Sequence, residues 1–422
     1  DLKNRADSTG NDIIFMDKTT DWNTGNITNR YSHEIEKWDS NSGEIIAWVK
    51  LDSVNSTTNT SFYMYYGSPC NSDKQDVENV WDSNFKAVWH MTDTSDSTLN
   101  NNNGANDGAD LTINGKINNA FDFEEDNGDY INVPDSNTMD ITNTLTIETW
   151  FKLESQKNYH YILEKHGAGH DDDAYTLMFT NDELMFECRP IGQDYTSWET
   201  NTANLLNDIW YHYAITWNYP SSNLSFYLNG DFLENKTITT NDLRTTSNST
   251  FIGMQNIQHP QYFDGLIDEL RISSNVRNAD WIKTTYYTTS DPNNFTGFGN
   301  QEIPNVAPTQ SNPNPSNGST GQKLNPKLSI QVNDTNNDAM NVSFWTNADG
   351  SWGLIGYNDS VYNGTYYQTP SNMDSPDTYS WSVNVTDGKL WTNRTYSFTI
   401  DLWCYQETAN VSTICGGLDT GN

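Results

Sequence analysis

The chain has 422 residues, with 22 Lys+Arg against 56 Asp+Glu and a formal charge of −34. That excess excludes nucleic acid as a partner, because phosphate binding needs cations that displace counterions, and an anionic membrane surface would repel the chain. Charged residues make up only 18% and aromatic residues 13%, so the polarity comes from neutral Asn, Ser and Thr, and the many rings mark folded domains rather than disorder.

The length suits two to four domains, and no apolar run approaches the roughly 18 residues of a membrane-spanning helix. The chain opens at Asp1 with no signal-like segment, as a processed form or a fragment would. Taken in order, nearly every periodic stretch has the two-residue alternation of a strand. Examples are Thr146–Phe151, Tyr213–Trp217, and Leu224–Leu228 followed by Asn229-Gly230, a two-residue hairpin signal. A short helical turn is expected over Asn278–Lys283, and no helix-period stretch of 12 residues stands out. Pro304 to Pro326 reads as a linker plus the first turn of a new domain. Leu328–Val332, Val342–Trp345, Trp381–Val385 and Tyr396–Ile400 then give the short strands of an immunoglobulin- or fibronectin-like sandwich. The expected class is all-β: tandem β-sandwiches comprising a partial sandwich, a jelly roll and an immunoglobulin-like module.

Two resemblances sharpen this. Ala87–Met91, Asp96-Ser97-Thr98, Phe121-Asp122-Phe123, Gly128–Ile131, Trp210-Tyr211-His212 and above all Tyr262–Ile272 resemble the laminin G-like, concanavalin A-like jelly roll of prokaryotic surface proteins. Tyr31–Trp38, Ala47–Lys50, Tyr63–Gly67 and Val80-Trp81-Asp82 resemble a small β-domain of unknown function that precedes such jelly rolls in archaeal and bacterial surface proteins. Residues 305–402, with Asn363–Tyr366 and Trp381–Val385 before Asp387-Gly388, resemble immunoglobulin-like repeats of archaeal surface glycoproteins. The expected division is 1–88, the small β-domain; 89–287, the jelly roll; 288–326, the linker and first turn; 327–402, the immunoglobulin-like sandwich; and 403–422, a tail or the start of a further strand. The small domain's family has further strands ahead of Asn11-Asp12-Ile13. Their absence implies truncation or a strand supplied by another chain at the edge beside Ile13–Phe15.

Little points to catalysis. Glycosidases of the jelly-roll class alternate acids along one strand so that they share a face. In Ile267-Asp268-Glu269-Leu270 the acids are adjacent and are expected on opposite faces. His166 to Asp173 clusters imidazoles and carboxylates but reads as a solvated hairpin loop. The jelly-roll resemblance implies a structural Ca²⁺ with ligands from Asp96, Asp129 and Asp268, Glu125 and Asp126 lying adjacent. Trp198, Tyr195, Trp217 and Tyr219 are candidate sugar platforms, although core packing is the ordinary fate of such rings.

The four cysteines form no CxxC pair. Cys404 and Cys415 either close a small loop in an oxidising compartment or stay two buried thiols, and Cys70 and Cys188 have no evident partner. Asn-X-Ser/Thr sequons occur at Asn26, Asn55, Asn59, Asn223, Asn235, Asn248, Asn294, Asn317, Asn333, Asn341, Asn358, Asn363, Asn384, Asn393 and Asn410, nine of the fifteen after residue 290. Their density there, on faces opposite the apolar alternation, leads to an expectation of N-linked glycans.

The expected protein is an extracellular, non-enzymatic structural or adhesive surface protein. Its partners are copies of itself in a head-to-tail fibre, with the strand-like tail Asn410–Ile414 exchanged between subunits, or surface glycans. The alternative is a carbohydrate-binding lectin module of a larger adhesin or glycosidase.

Overall fold

The computed structural model describes the chain apart from residues 1, 18–29, 69–71, 166–173, 181–182, 202, 240–241, 256–259, 301–304, 402–403, 407–412 and 416–422. It is nearly all β and divides into two compact units, residues 1–298 and 299–422. Among the described residues no helix is long and apolar enough to cross a membrane. The His166–Asp173 loop, Cys70, Asn26 and Asn410 lie outside the described residues.

The first unit opens with a three-stranded sheet in which Ile14–Asp17 is central, paired with Arg30–Tyr31 on one side and Phe62–Tyr65 on the other. The edge beside Ile13–Phe15 is therefore filled from within the chain, which corrects the expectation of a vacancy for a strand from elsewhere. The hairpin His33–Asp39/Glu44–Val49 follows, with a bulge that leaves Glu36 without a cross-strand partner.

The jelly roll is two antiparallel sheets face to face. One runs Thr196–Glu199, Glu183–Cys188, Tyr175–Thr180, His160–Lys165, Thr250–Ile252, Tyr130–Val133, Ala105–Asp107. The other runs Asp231–Thr237, Asn223–Leu228, Trp210–Asn218, Thr144–Leu153, Gly265–Ser273, Ala120–Phe123, Asp110–Thr112. Phe85–Trp89 pairs with the far half of Gly265–Ser273, so the jelly roll begins at Phe85, a few residues before the expected 89. Between the sheets lie Leu145, Ile147, Phe151, Tyr213, Ile215, Trp217, Phe226, Ile267, Leu270 and Ile272, all buried. At the expected hairpin, Asn229 and Gly230 have φ of 51° and 76°, the left-handed values that a two-residue turn with the twist of its strands requires.

A 12-residue helix, Ala279–Ser290, replaces the short turn expected there. Its run of Thr and Tyr has weak intrinsic helix propensity, so packing holds it. The Asn278 side chain caps Trp281 N–H at 2.8 Å, Tyr286 stacks on Trp150 at 5.5 Å between ring centroids, and Trp150 Nε1 donates to Thr289 Oγ1 at 3.0 Å.

The second unit is also a two-sheet sandwich. Three strands (Thr309–Asn314, Leu328–Asn333, Gly364–Gln368) face five (Ser319–Gln322, Trp391–Ile400, Thr378–Thr386, Met340–Thr346, Gly353–Val361). Val342, Phe344, Trp381, Val383, Val385 and Phe398 fill it. Thr309–Asn314 and Ser319–Gln322 fall in the stretch expected to be linker, so the sandwich starts well before 327. Thr309–Asn314 tolerates Pro313 because it is an outer strand, where a missing N–H breaks no ladder. Beyond it, Cys404–Gln406 pairs with Thr413–Cys415 in register Cys404↔Cys415. The tail strand is thus paired within its own chain, and the backbone sets the two cysteines opposite one another.

Candidate functional site

The closing strand Gly265–Ser273 organises the first candidate site. It pairs with Ala120–Phe123 through residues 265–267 and with Phe85–Trp89 through 270–273. Residues 268 and 269 sit where the two neighbours meet. There the register against Thr144–Leu153 slips by one residue, and Glu269 takes a left-handed φ of 50°. A bulge re-aims side chains: Ile267 and Leu270 both stay in the core, while Asp268 and Glu269 both turn to the outer face. This corrects the expectation of opposite faces, which assumed an unbroken alternation.

The outer face is no open cleft. Asp268 and Glu269 are 0% and 2% exposed. Asp268 Oδ2 accepts the Ile117 N–H at 2.8 Å, filling the gap between the two neighbouring strands. Glu269 binds His90 Nδ1 at 2.9 Å and Arg271 Nη2 at 2.5 Å. The small β-domain's hairpin closes over this patch. Glu34 Oε2 accepts from Trp81 Nε1 at 2.9 Å and lies 3.4 Å from His90 Nε2, and Glu34 Oε1 accepts from Ser97 Oγ at 2.7 Å. Glu36 Oε2 accepts from Trp48 Nε1 at 2.9 Å, while its buried Oε1 has no hydrogen-bond partner. Trp48 stacks on His90 at 5.3 Å, and the Arg271 guanidinium sits between Trp48 and Trp81 at 4.4 and 5.2 Å from their rings.

The charges divide by environment. Burial opposes the His90 imidazolium, but the Glu269 charge and hydrogen bond, joined by Glu34, outweigh it and hold His90 well above the usual histidine range. Burial and then the Glu269 charge push Glu36 up to about 8. The same two causes hold Asp268 well above the carboxylate range. Glu269 stays low despite burial, because His90 and Arg271 neutralise it. The cluster is a sealed seam between the two domains, with Glu36 carrying a proton at neutral pH, and it lacks the solvent-facing acid pair that glycoside hydrolysis needs.

The expected calcium ligands do not converge. Asp96 is buried, and its carboxylate accepts four hydrogen bonds of 2.8–3.0 Å, from Val88 N, Thr98 N, Thr98 Oγ1 and Asn102 N. Asp129 accepts from Glu124 N at 3.0 Å, and Asp268 lies in the seam. Among the described residues, the groups of three whose ligand atoms lie within 4.8 Å of one another are Glu36/His90/Glu269 and the more exposed Asp122/Glu124/Glu154, and neither contains Asp96, Asp129 or Asp268. Resemblance named single residues, whereas the fold has put each carboxylate to local use.

Of the four aromatic platforms, Trp217 is fully buried, and Trp198 and Tyr219 pack against the core. Tyr195 alone of the four is exposed, at 37%. It follows a polar cleft of about 290 Å³ lined by Arg189, Pro190, Gly192, Gln193, Asp194 and Arg244. Sequence reasoning missed this cleft because Arg189 and Arg244 are 55 positions apart. The signal available was the rarity of arginine, seven in the whole chain.

None of the thirteen described sequon asparagines is buried. Asn55, Asn59, Asn235, Asn294, Asn317, Asn333, Asn341, Asn363 and Asn393 are exposed, and Asn223, Asn248, Asn358 and Asn384 half-buried. On the five-stranded sheet Asn384 faces Asn393 across the ladder and Ser343 on the other side, with Asn341 one step away, so three sequons share one face.

No curated protein matches the chain by sequence. Among solved structures, domain 4 of AbnA, a GH43 extracellular arabinanase from Geobacillus stearothermophilus in complex with arabinotriose, is similar at 21% identity, covering 47% of this chain and 97% of that one, TM-score 0.39. The binding domain of Paraclostridial Mosquitocidal Protein 1 is 11% identical over 78% of this chain and 72% of that one, TM-score 0.41. The botulinum neurotoxin serotype G binding domain is 12% identical over 71% and 85%, TM-score 0.40. Likenesses of this order bear on neither ligand nor activity. Residues 125–283 match the concanavalin A-like lectin/glucanases superfamily and residues 9–105 match a domain of unknown function, DUF2341; the chain thus carries a concanavalin A-like jelly roll preceded by a DUF2341 domain.

Proposed function

We propose that this chain is a non-enzymatic, extracellular or cell-surface adhesive scaffold whose jelly roll binds glycans and whose second sandwich is a spacer coated with N-linked glycans. The observation that carries the non-enzymatic part is the fate of Asp268 and Glu269. The acid pair on the closing strand is shut away from solvent: Asp268 accepts the Ile117 N–H, and Glu269 holds His90 and Arg271, the two side chains on which Trp48 of the DUF2341 hairpin packs. Sugar binding is supported by the lectin-type fold and by the polar cleft beside Tyr195. Glycosylation is supported by thirteen sequons of which none is buried. A cross-strand disulfide at Cys404–Cys415 and a structural calcium ion remain part of the proposal, the latter with Asp122, Glu124 and Glu154 as its better-grouped ligands.

Assembly into a fibre is the second reading. It is favoured by the outermost strand Gly353–Val361, which exposes Leu354 at 51% and Tyr357 at 64% beside Trp352 at 48%. Long apolar edge strands are templates for pairing with another chain.

A glycan array probed with the purified chain tests the adhesive reading and should give specific, saturable signals. Hydrolysis of any member of a β-glucan panel, abolished by Glu269→Gln, would overturn it. Negative-stain images should show filaments if subunits join, and dispersed particles at high concentration would remove the fibre reading.

A further inference from the structure

We propose that the end of the second sandwich at which residues 305–308 enter holds a calcium ion, bound by the buried Asp334 carboxylate and the Asn305 side-chain carbonyl. This site is separate from the Asp122/Glu124/Glu154 group of the jelly roll and does not depend on glycan binding.

Asp334 directly follows the strand Leu328–Asn333 and opens the loop that crosses to Met340–Thr346 in the opposite sheet. It is 1% exposed, and its Oδ2 has no hydrogen-bond partner. The rest of the residue is engaged. Asp334 Oδ1 accepts the Asp338 N–H at 3.1 Å. The Asn363 amide brackets the backbone, its Oδ1 accepting Asp334 N–H at 2.6 Å and its Nδ2 donating to Asp334 O at 3.0 Å. One carboxylate oxygen is thus fixed in place with nothing to bind, and a charge buried in that way is costly until a cation meets it. After residue 299 the lysines and arginines are Lys323, Lys327, Lys389 and Arg394, and there is no histidine. None of the four bonds to the Asp334 carboxylate.

Asn305 supplies a second oxygen of the same kind. Its Nδ2 donates to Asp387 Oδ2 at 2.8 Å, which orients the amide, and its buried Oδ1 has no partner. Backbone register carries the two residues to one end of the sandwich. Thr309 pairs with Asn333, and three residues further out Val306 N–H donates to Asn336 Oδ1 at 2.8 Å. Asn341 pairs with Thr386, so Asp387 begins its turn beside the point where the 334–339 loop lands. Asp338 and Asp387, both half-buried, add negative charge there.

The donors are a carboxylate and an amide carbonyl, both hard oxygens. Ca²⁺ accepts irregular sets of roughly six to eight oxygens, with backbone carbonyls and water completing the shell, whereas Mg²⁺ demands a near-ideal octahedron. A buried water would satisfy the hydrogen bonding of one orphan oxygen but leave the Asp334 charge unpaired. The overall charge of −34 favours cation uptake as well.

The test is titration calorimetry of the chelator-stripped full chain, in a background where Asp122→Asn, Glu124→Gln and Glu154→Gln remove the jelly-roll acid group. CaCl₂ should bind at one site with a Kd of about 10⁻⁴–10⁻³ M, the range of extracellular calcium modules, and MgCl₂ about tenfold or more weaker. Asp334→Asn keeps an oxygen for the Asp338 N–H and puts a neutral amide nitrogen in place of Oδ2. It should weaken calcium about tenfold or more and lose the rise in unfolding midpoint that calcium gives the parent. Without a cation site the sign reverses: Asp334→Asn, freed of an unpaired buried charge, would be at least as stable as the parent, and calcium would move neither. Asn305→Ala, which leaves the loop's own bonds intact, should also weaken calcium, and it decides the matter if circular dichroism shows Asp334→Asn unfolded. No calcium heat in this background, magnesium as tight as calcium, or undiminished binding by either folded variant would each overturn the proposal. Calcium binding by the parent that the background substitutions abolish would leave the jelly-roll ion standing and refute this one.

Discussion

Glu36 is the residue on which the sealed seam between DUF2341 domain and jelly roll can be tested most directly. Its side chain is 2% exposed and one of its oxygens has no hydrogen-bond partner. Folded, it titrates near 8, against 4.5 for a free glutamate. A group whose folded pKa is raised stabilises the fold below its unfolded pKa and loses that contribution as pH rises toward the folded one. The cost is about 1.4 kcal/mol per pH unit in between, roughly 3–4 kcal/mol between about pH 5 and about pH 8. His90, raised as well, acts in the same direction. Glutamine mimics the protonated carboxyl and keeps an oxygen for Trp48 Nε1, so Glu36→Gln removes the penalty without removing the bond. Urea unfolding followed by tryptophan fluorescence, with Trp48 and Trp81 in the seam as reporters, should show parent and variant alike near pH 5 and the variant clearly more stable near pH 8. A variant whose stability falls with pH as steeply as the parent's would refute the assignment of a buried proton to Glu36.

The remaining predictions concern packing and local satisfaction. Trp381→Ala should cost about 3–5 kcal/mol in urea unfolding, because the ring is fully buried between Phe344 and Tyr396. Gly265→Ala should be at least as damaging as a cavity, lowering the thermal midpoint by several degrees: φ is +133° and a Cβ would stand 2.2 Å from the Lys152 carbonyl oxygen. Asp96→Asn should cost about 1–3 kcal/mol, since an amide nitrogen cannot accept from Thr98 Oγ1 and Asn102 N–H as the carboxylate does. In glycopeptide mapping of the protein from its native source, Asn384 and Asn393 should not both be occupied on one molecule, because they are cross-strand partners whose side-chain amides already bond to each other. Doubly modified peptides in quantity would contradict this.

What alternation can encode was readable from residues alone. The interior strands of both sandwiches, the Asn229-Gly230 hairpin and the outward placement of Asn341 and Asn384 follow from a period of two and from turn chemistry. What depends on a break in that period was not readable. The bulges at Glu36 and Glu269 bring acids from opposite ends of the first unit onto His90, and no spacing rule joins residues 36, 90 and 269. The helix Ala279–Ser290 is set by rings it meets only in the folded state. Pro and Asn disguised Thr309–Asn314 as linker because an outer strand can carry them. The arginine cleft shares this origin, since it exists only where two loops are stitched together.

The route by which the DUF2341 domain hands over to the jelly roll has a practical corollary. Trp81 still belongs to the hairpin's packing, and four residues later Phe85–Trp89 is already a rung in the larger sheet. No spacer exists at which the two could be separated, so the small domain is unsuited to being cut out and grafted as an independent part. Tension along the chain at this junction would load the sheet's hydrogen bonds in shear instead of swinging one body about another.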